Sequence, residues 1–227
     1  NLLKSIGKAA ANFLVQAAKD GMTIAFSMGK TLSNVADHVE TQSNIDCKIV
    51  PITGGIGHVS PEIHANEICR RVAEGLGGVL YPLYAPAIVA DKQIKELLTN
   101  DPMIQKVFHI ATNADITFVS VGNVTSSTFV RIGSITQEEA NDLERLGVVG
   151  DIASRFINQN GEILDLDIHQ RVVGPDFIKI RENSKVVLVA GTKEKAKVIL
   201  AALKGNFADI LITDESAAYP LIENAYL

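Results

Sequence analysis

The sequence has no tryptophan and only two cysteines, and aromatic residues make up just 5% of its 227 positions. Because Cys47 and Cys69 lie far apart in sequence, the pattern favours a reducing, cytoplasmic setting over a disulfide-stapled scaffold. No apolar run reaches the length of a membrane span, so we expect no membrane partner. A strongly basic stripe is also missing, and the formal net charge of −5 argues against this segment gripping nucleic acid by itself.

The residues that are present suit a globular α/β protein, with 47% hydrophobic and 21% charged positions. We find no linker and no internal repeat, and we therefore assign residues 1–227 to one domain. Residues 1–19 have the apolar spacing of an amphipathic helix rather than the pattern of a signal peptide. Because the chain begins with Asn1 instead of Met, we expect it to be a piece of a longer protein.

The most informative stretch is a strand–loop–helix pattern between residues 22 and 37. The apolar run over residues 22–26 predicts a short buried strand, and Gly29 then permits a tight turn close to a ligand. A helical pattern follows, and the free N–H groups of a helix N-terminus favour anions. We interpret the loop as a phosphate site that uses the N–H groups of residues 29–31. Its candidate residues are Ser27, Met28, Gly29, Lys30 and Thr31.

Two alternatives for this loop stay open. A nucleotide-binding P-loop would have its first glycine at position 24, where Ile24 stands, although Gly29-Lys30-Thr31 supplies its second half. The other alternative is an ordinary strand, turn and helix with a solvated lysine.

Strands alternate with helices along the chain, which predicts an α/β fold with a parallel sheet and helices on both faces. The predicted strands cover residues 22–26, 47–52, 115–121, 185–190 and 209–213, and residues 79–83 and 85–89 are expected to be extended. Thr136-Gln-Glu-Glu139 has the pattern of a capping box. A hairpin-like turn is predicted at Asn160-Gly161.

Functional residues of such a sheet gather beyond the carboxyl ends of the strands. Several predicted strand ends carry glycine, which allows close backbone approach to a ligand, although plain turn chemistry explains any one glycine equally well. Besides the phosphate loop, this rule selects Thr53, Gly54, Gly55, Gly122, Asn123, Gly150, Asp151, Gly191 and the following residues to Lys195, and Asp214.

The helix predicted over residues 192–204 carries three lysines in or near its first turns, behind Thr192 as the expected N-cap. Cations oppose the helix dipole there, and a bound anion would offset that cost. Lys195 lies between apolar neighbours and is the candidate to reach a sugar or phosphate oxygen. Solvated lysines are the alternative. We expect Lys195 and Asp151 to meet across one pocket, because both are predicted to follow strand ends of one sheet.

Three late segments resemble the SorC-type sugar-binding regulators, which are related to the deoxyribonucleoside regulators. GDIASRFINQNG at residues 150–161 resembles their GD-I-x-x-x-F-F-D-x-x-G segment. AGTKEKAKVILAALKG at residues 190–205 is similar to A-G-G-x-x-K-A-x-A-I-x-A-A-L-x-G, and LITDESAA at residues 211–218 is similar to L-V-T-D-E-x-T-A. Residues 50–55 and 84–88 fall in the family's order, so the resemblance covers nearly the whole chain.

This resemblance implies the effector-binding domain of a bacterial transcriptional regulator of carbohydrate metabolism. It implies the fold shared by sugar-phosphate isomerases, glucosamine-phosphate deaminases and CoA transferases, with a smaller inserted segment. It implies a phosphorylated sugar as effector, no catalysis, no cofactor, and operator DNA bound through an N-terminal helix-turn-helix domain that is absent from this chain. Carried over by position, the phosphate loop is Ser27 to Thr31, and Asp151 and Lys195 face the ligand. Asn123, Thr192 and Ser27-Met28 depart from the family's glycines, which leaves the identity of the sugar open.

Other functions and roles remain as alternatives. Asp151 could be only a helix cap, because the sequence from Ile152 onward is helix-like. An isomerase or deaminase of the same fold could use Asp151 as a base or Lys195 as a Schiff-base lysine. An assembly module with an inert pocket is a third alternative.

The histidines do not predict a metal site. His38, His58, His64, His109 and His169 show no metal-ligand spacing, and only His169 lies in a segment expected to approach the pocket.

A regulator that reads two half-sites must pair its DNA-binding domains, so we expect a homodimer or homotetramer. Residues 125–134 are the candidate surface. This stretch is expected to lack regular structure and yet contains Phe129, Val130 and Ile132. The alternative is that these side chains pack back into the core.

Overall fold

The computed structural model describes residues 2–42, 44–57, 60–131, 133 and 135–225. The strands in these residues are β1 (Thr23–Phe26), β2 (Lys48–Pro51), β3 (Val79–Leu80), β4 (Ile116–Val119), β5 (Val121–Asn123), β6 (Val148–Ile152), β7 (Arg155–Asn158), β8 (Lys185–Val189) and β9 (Ile210–Ile212). A six-stranded sheet has the order β3-β2-β1-β4-β8-β9, and all its neighbouring strands are parallel. The predicted α/β fold with a parallel sheet is confirmed.

Helices cover both faces of this sheet. In the same described residues they are α1 (Leu2–Ala17), α2 (Lys30–Ala36), α3 (Ala65–Leu76), α4 (Lys92–Thr99), α5 (Pro102–Thr112), α6 (Thr128–Arg131), α7 (Gln137–Arg145), α8 (Phe177–Asn183), α9 (Ala196–Lys204) and α10 (Glu215–Ala225). Helices α1, α2 and α3 contribute Leu14, Leu32 and Ile68 to the core on one face. Helices α8 and α9 contribute Phe177 and Val198 to the core on the other face.

The central strand β1 explains why the sequence shows an unbroken apolar run there. Ile24 and Phe26 join the first core and Ala25 joins the second, and all three are fully buried. A strand covered on both faces needs apolar side chains at successive positions rather than at alternate ones. Phe26 also stacks on Phe118 of the neighbouring strand β4, with ring centroids 4.8 Å apart. This packing fixes the loop that follows β1 against the end of β4.

A second, three-stranded sheet of order β5-β6-β7 is antiparallel and follows directly from β4. The prediction of a single strand over residues 115–121 is therefore wrong, because this stretch contributes to two strands in different sheets. The chain leaves the large sheet after Val119, passes Ser120, and enters the small sheet at Val121. The β-branched run contains no breaker at residue 120, so the sequence pattern could not show the change of sheet. The small sheet matches the smaller inserted segment that the family resemblance implied.

Asp151 lies within a strand and not at a helix N-terminus, so the helix-cap alternative is wrong. Strand β6 turns into β7 through Ala153 and Ser154, whose φ angles are 47° and 66°. Hairpin turns with two such residues usually contain Asn and Gly, so the Ala-Ser pair did not reveal this one. The turn predicted at Asn160-Gly161 is confirmed, since Gly161 has a φ of 82° and its N–H donates to the Asn158 carbonyl at 3.0 Å.

The segment after β5 is ordered as a short 3-10 turn, Val124–Ser126, followed by α6. The expectation of an unstructured loop with an exposed aromatic residue is wrong, because Phe129 is 1% exposed and packs against Phe156 with ring centroids 5.5 Å apart. Ile132 and Ser134 of the same segment lie outside the described residues. The capping box after it is confirmed, with hydrogen bonds in both directions between Thr136 and Glu139.

Candidate functional site

A cavity of about 150 Å³ opens beyond the carboxyl ends of β1 and β4. The chain runs from β1 outward to β2 and β3, then returns to β4 on the other side of β1. Loops diverge at such a reversal of strand order and leave a crevice between them. The cavity is lined by Ser27, Met28, Gly29, Lys30, Thr31, Thr53, Ser120, Val121, Gly122, Asn123, Ser127, Thr128, Phe129, Asp151, Ala153, Ser154 and Lys195. Most of these side chains are small and many carry a hydroxyl group.

The β1–α2 loop forms one wall of the cavity. Gly29 has a φ of 126°, a conformation that residues with a side chain rarely adopt. Its N–H donates to the Ile63 carbonyl at 3.0 Å, so this amide is already used within the protein. The amides of Lys30 and Thr31 lie in the first turn of α2, where N–H groups have no intrahelical partner. The loop therefore offers fewer free amides than predicted, together with an exposed ammonium group and the largely buried Thr31 hydroxyl.

Asp151 and Lys195 line the same cavity, as predicted, although the predicted reason is wrong. Asp151 belongs to the antiparallel sheet and pairs with Gly122 across the β5–β6 ladder. Lys195 ends a 3-10 turn that follows β8 of the parallel sheet. The small sheet thus places a carboxylate opposite the strand ends of the large one.

The two charges modify each other's protonation. Burial raises the pKa of Asp151 to about 7, although a hydrogen bond from the Ser154 N–H and the nearby Lys195 ammonium both lower it. Burial lowers the pKa of Lys195, and the Asp151 carboxylate opposes that shift. Near neutral pH, Asp151 is therefore present in both its neutral and its charged forms. It can accept or donate a hydrogen bond to a ligand hydroxyl.

The turn that holds Lys195 is fixed by two contacts from neighbouring segments. The Asn123 side-chain amide donates to the Glu194 carbonyl at 3.2 Å, and the Thr192 N–H donates to Asp214 Oδ1 at 2.6 Å. Thr192 is the N-cap residue of the 3-10 turn at residues 193–195, but its side chain forms no cap bond, and helix α9 begins only at Ala196 rather than directly after Thr192. Asp214, selected as a strand-end candidate, supports this turn and does not line the cavity.

Three predicted glycines, Gly54, Gly55 and Gly191, are not among the residues that line the cavity. A Cβ atom on Gly54 would lie 2.5 Å from the Ala85 carbonyl oxygen, and one on Gly191 would lie 2.3 Å from Ile6 Cδ1. Gly55 is bound by its backbone, since its N–H donates to the Ala85 carbonyl at 2.8 Å. Internal packing accounts for Gly54 and Gly191, whereas a Cβ atom on Gly55 would meet only an ordinary contact, 3.8 Å from the Ala85 carbonyl oxygen. Ligand contact at all three glycines stays a prediction.

The cavity also contains residues that the sequence did not single out. Ser120 occupies the break between β4 and β5, Ser154 the β6–β7 turn, and Phe129 the helix α6. Thr53 precedes the two candidate glycines after β2 and was selected only as a strand-end residue. The sequence pattern that could have pointed to Ser120 is a serine between two apolar strand residues. That pattern is informative only once the two strands are known to belong to different sheets.

His169 lies behind the cavity wall rather than in it. Its Nε2 accepts a hydrogen bond from the Phe156 N–H at 2.9 Å, and its ring stacks on Phe156 with centroids 5.8 Å apart. Burial, together with the nearby Arg155 guanidinium, lowers the pKa of His169 to about 4. The neutral imidazole thus holds β7, the strand that continues from the turn carrying Ser154.

Among the described residues, no group of three or more His, Cys, Asp and Glu side chains could hold a metal ion. His58 lies outside the described residues. The helices that the structure describes are too short or too polar to cross a membrane. Cys47 and Cys69 are both buried and free.

The fold and cavity define an α/β ligand-binding domain whose site lies at a reversal of strand order and suits a small, polar, hydroxyl-bearing ligand. Comparisons with known proteins identify the family. The Sugar-bind model, which describes a sugar-binding domain, matches residues 1–223. This chain therefore belongs to the Sugar-bind family, the sugar-binding domains of SorC- and DeoR-type transcriptional regulators, as its resemblance implied.

Individual relatives agree with this assignment. The deoxyribonucleoside regulator of Bacillus subtilis is 27% identical over 215 residues, which cover 94% of this chain and 68% of that protein. The transcriptional regulator LsrR of Enterobacter sp. is 30% identical over 218 residues, which cover 94% of this chain and 65% of that protein. A solved DeoR family transcriptional regulator from Listeria monocytogenes has a TM-score of 0.86 at 29% identity, covering 97% of this chain and 87% of that one. The chain thus spans about two thirds of the length of its curated relatives.

Proposed function

We propose that this domain binds a phosphorylated sugar and that binding changes the DNA affinity or the assembly of the full-length regulator. The observation that carries the proposal is the composition of one cavity. A cationic loop with free helix amides forms one wall, and a carboxylate and an ammonium from two different sheets form the other. A phosphosugar presents a dianion and several hydroxyl groups, which match these two walls.

The phosphate group lies against the β1–α2 loop in this proposal. Lys30 and Thr31 both line the cavity there, and their amides belong to the first turn of α2, where N–H groups have no intrahelical partner. Glycine at position 29 allows the loop to take this path, since its φ of 126° is one that residues with a side chain rarely adopt. The ligand then extends toward Asp151 and Lys195, which accept from and donate to its hydroxyl groups.

An enzymatic function is the second candidate, because one observation favours it. Asp151 and Lys195 have pKa values shifted by burial and share one cavity, and such pairs are frequent in active sites. A sugar-phosphate isomerase could use the carboxylate as a base on a sugar carbon. We favour the sensor because the named relatives are transcriptional regulators. Incubating the domain with phosphorylated pentoses and hexoses and following their NMR spectra separates the two, since only an enzyme changes the sugar.

The proposed partners extend beyond this chain. Operator DNA is contacted through an N-terminal helix-turn-helix domain of the longer protein, and the regulator is a homodimer or homotetramer. The length of the relatives supports a further domain, because about a third of each lies outside the matched region.

A thermal-shift screen tests the proposed ligand class. Phosphorylated and free forms of the same pentoses and hexoses are compared on the wild-type domain. A ligand at 100 times its dissociation constant adds about 2.7 kcal/mol to the free energy of unfolding, which is readily measured. We expect stabilisation by the phosphorylated form of one sugar and not by its free form.

A further inference from the structure

Three hydroxyl groups in the cavity wall have no hydrogen-bond partner. The oxygen atoms of Thr53, Ser120 and Ser154 each expose less than 1 Å² and bond to nothing among the described residues. Thr53 is 4% exposed and Ser154 is 3% exposed as whole residues. Buried polar groups are almost always paired, because an unpaired one forfeits its bonds to water without replacement. Three such groups around one cavity therefore require an explanation.

Ser154 is unfavourable in a second respect. Its φ of 66° lies in the left-handed region, which glycine adopts without strain and serine does not. Glycine at this position would relieve the backbone and remove the unpaired oxygen, and the Ser154 N–H that stabilises the Asp151 carboxylate would be kept. Strained residues of this kind cluster at ligand-binding sites.

The three residues reach the cavity from separate parts of the fold. Thr53 follows β2, Ser120 separates β4 from β5, and Ser154 lies in the β6–β7 turn. No shared local motif can account for their unpaired hydroxyls. What they share is the cavity and its neighbours Asp151 and Lys195. Each hydroxyl can turn by rotation about one Cα–Cβ bond, so a ligand in the cavity can recruit it.

We propose that Thr53, Ser120 and Ser154 bind the hydroxyl groups of the ligand and thereby select which phosphosugar is accepted. The inference rests on the proposed function and deepens it by naming the residues that distinguish one sugar from another. Serine and threonine both donate and accept, so they suit the hydroxyl groups of a sugar rather than a purely anionic ligand such as inorganic phosphate. A site that hydrogen-bonds a ligand hydroxyl rejects the analogue that lacks it, because the protein group is then left unpaired.

Thr213 provides a matched control. Its hydroxyl is also buried and unpaired, but it lies beside an apolar groove formed by α9, β9 and α10 and does not line the cavity. Removing the Thr213 hydroxyl should change the stability of the protein in the same direction as at the three cavity sites, without changing ligand binding.

The experiment compares Thr53→Val, Ser120→Ala and Ser154→Gly with Thr213→Val and with the wild type. Melting temperature is measured without ligand, and affinity is measured by calorimetry for a panel of phosphorylated pentoses and hexoses and for inorganic phosphate. All four variants lose a buried, unpaired hydroxyl group and should be more stable than the wild type. Their melting temperatures should rise by ~2–4 °C for each kcal/mol gained in the free energy of unfolding. Each cavity variant should bind the preferred phosphosugar roughly 3- to 10-fold more weakly and discriminate less between sugars. Affinity for inorganic phosphate and all affinities of Thr213→Val should be unchanged.

Three different results would overturn the inference. If the wild type binds a phosphosugar and the cavity variants bind it equally well with unchanged preference, the hydroxyls do not read the ligand and the proposed function stands. If the wild type binds no member of the panel, the proposed function fails and the inference fails with it. A loss of affinity that Thr213→Val shares equally also contradicts the inference, since it traces to general changes in the fold.

Discussion

Asp151 of strand β6 and Lys195 of the turn after β8 share one cavity and are close enough for each charge to oppose the pKa shift that burial imposes on the other. The carboxylate belongs to the small antiparallel sheet, and the ammonium to the turn that follows β8 of the large parallel sheet. In the proposed function, a ligand bound between them contacts the small sheet and this turn at once.

The first prediction concerns Asp151→Ala. We expect ligand affinity to fall by roughly 1–3 kcal/mol, because hydroxyl groups of the ligand lose their acceptor. The fold should persist, since the residue faces a cavity rather than the packed core. Asp142→Ala is the control, because Asp142 is exposed on α7 and forms an ion pair with the exposed Arg145. Calorimetry and circular dichroism on both variants check the prediction. Unchanged affinity in Asp151→Ala would remove this residue from the site.

The second prediction concerns pH and uses two groups with opposite effects. The pKa of Asp151 is raised in the folded protein, so its contribution to the free energy of unfolding is full below its ordinary value of 3.8 and is lost as pH rises toward about 7. The pKa of His169 is lowered, so its contribution is full above its ordinary value of 6.5 and is lost as pH falls toward about 4. Between pH 4 and 6.5 the two effects oppose each other in the wild type.

Single variants should separate these effects. Relative to the wild type, Asp151→Asn should make stability rise more steeply with pH in that window, and His169→Gln should make it fall, each by at most ~1.4 kcal/mol per pH unit. Urea denaturation at a series of pH values measures both slopes. Parallel curves for all three proteins would show that neither group has a shifted pKa in the folded state.

The third prediction tests the close approach between the two strands of the small sheet. A Cβ atom on Gly122 would lie 2.8 Å from Asp151 Oδ1, so Gly122→Ala should displace the carboxylate and weaken ligand binding. Gly57→Ala is the control, because nothing lies within 4 Å of the position its Cβ would take. Equal affinities in the two variants would mean that the position of Asp151 does not matter for binding.

The large sheet could be predicted from the sequence, but much of the small one could not. Strand β1 could be recognised because both of its faces are covered, which requires consecutive apolar residues from Ile24 to Phe26. The break at Ser120 and the turn at Ala153-Ser154 carry no glycine, proline or asparagine, since packing and not local preference sets them. Both lie in the cavity wall, where a ligand rather than the chain itself can compensate for unfavourable local structure.

The glycines at strand ends predicted the ligand site only in part. Gly29 is required by its φ at the cavity, whereas Gly54 and Gly191 are required by neighbours packed within the protein. A glycine in the sequence can indicate that a side chain does not fit at that position, but not whether the backbone angle or a packed neighbour is the cause. Phe129 illustrates the reverse case, because an aromatic residue in a polar stretch looked exposed and is instead part of the core beneath the small sheet.

The fourth prediction concerns assembly. A full-length regulator that reads two half-sites should be a dimer or tetramer, and ligand binding should change its size or shape. Sedimentation velocity on the full-length protein, with and without the phosphosugar found by the screen, measures this. A strict monomer under both conditions would remove the proposed mechanism and favour the enzymatic alternative.

The most direct test of the account is a calorimetric titration of the wild-type domain with the phosphorylated and the free form of the same sugar, repeated on Lys30→Ala. The account predicts that the wild type binds the phosphorylated form at least about tenfold more tightly, which corresponds to ~1.4 kcal/mol. In Lys30→Ala this difference should shrink, while binding of the free form stays the same. Equal affinity of the wild type for both forms would contradict the central claim that this cavity recognises a phosphorylated sugar.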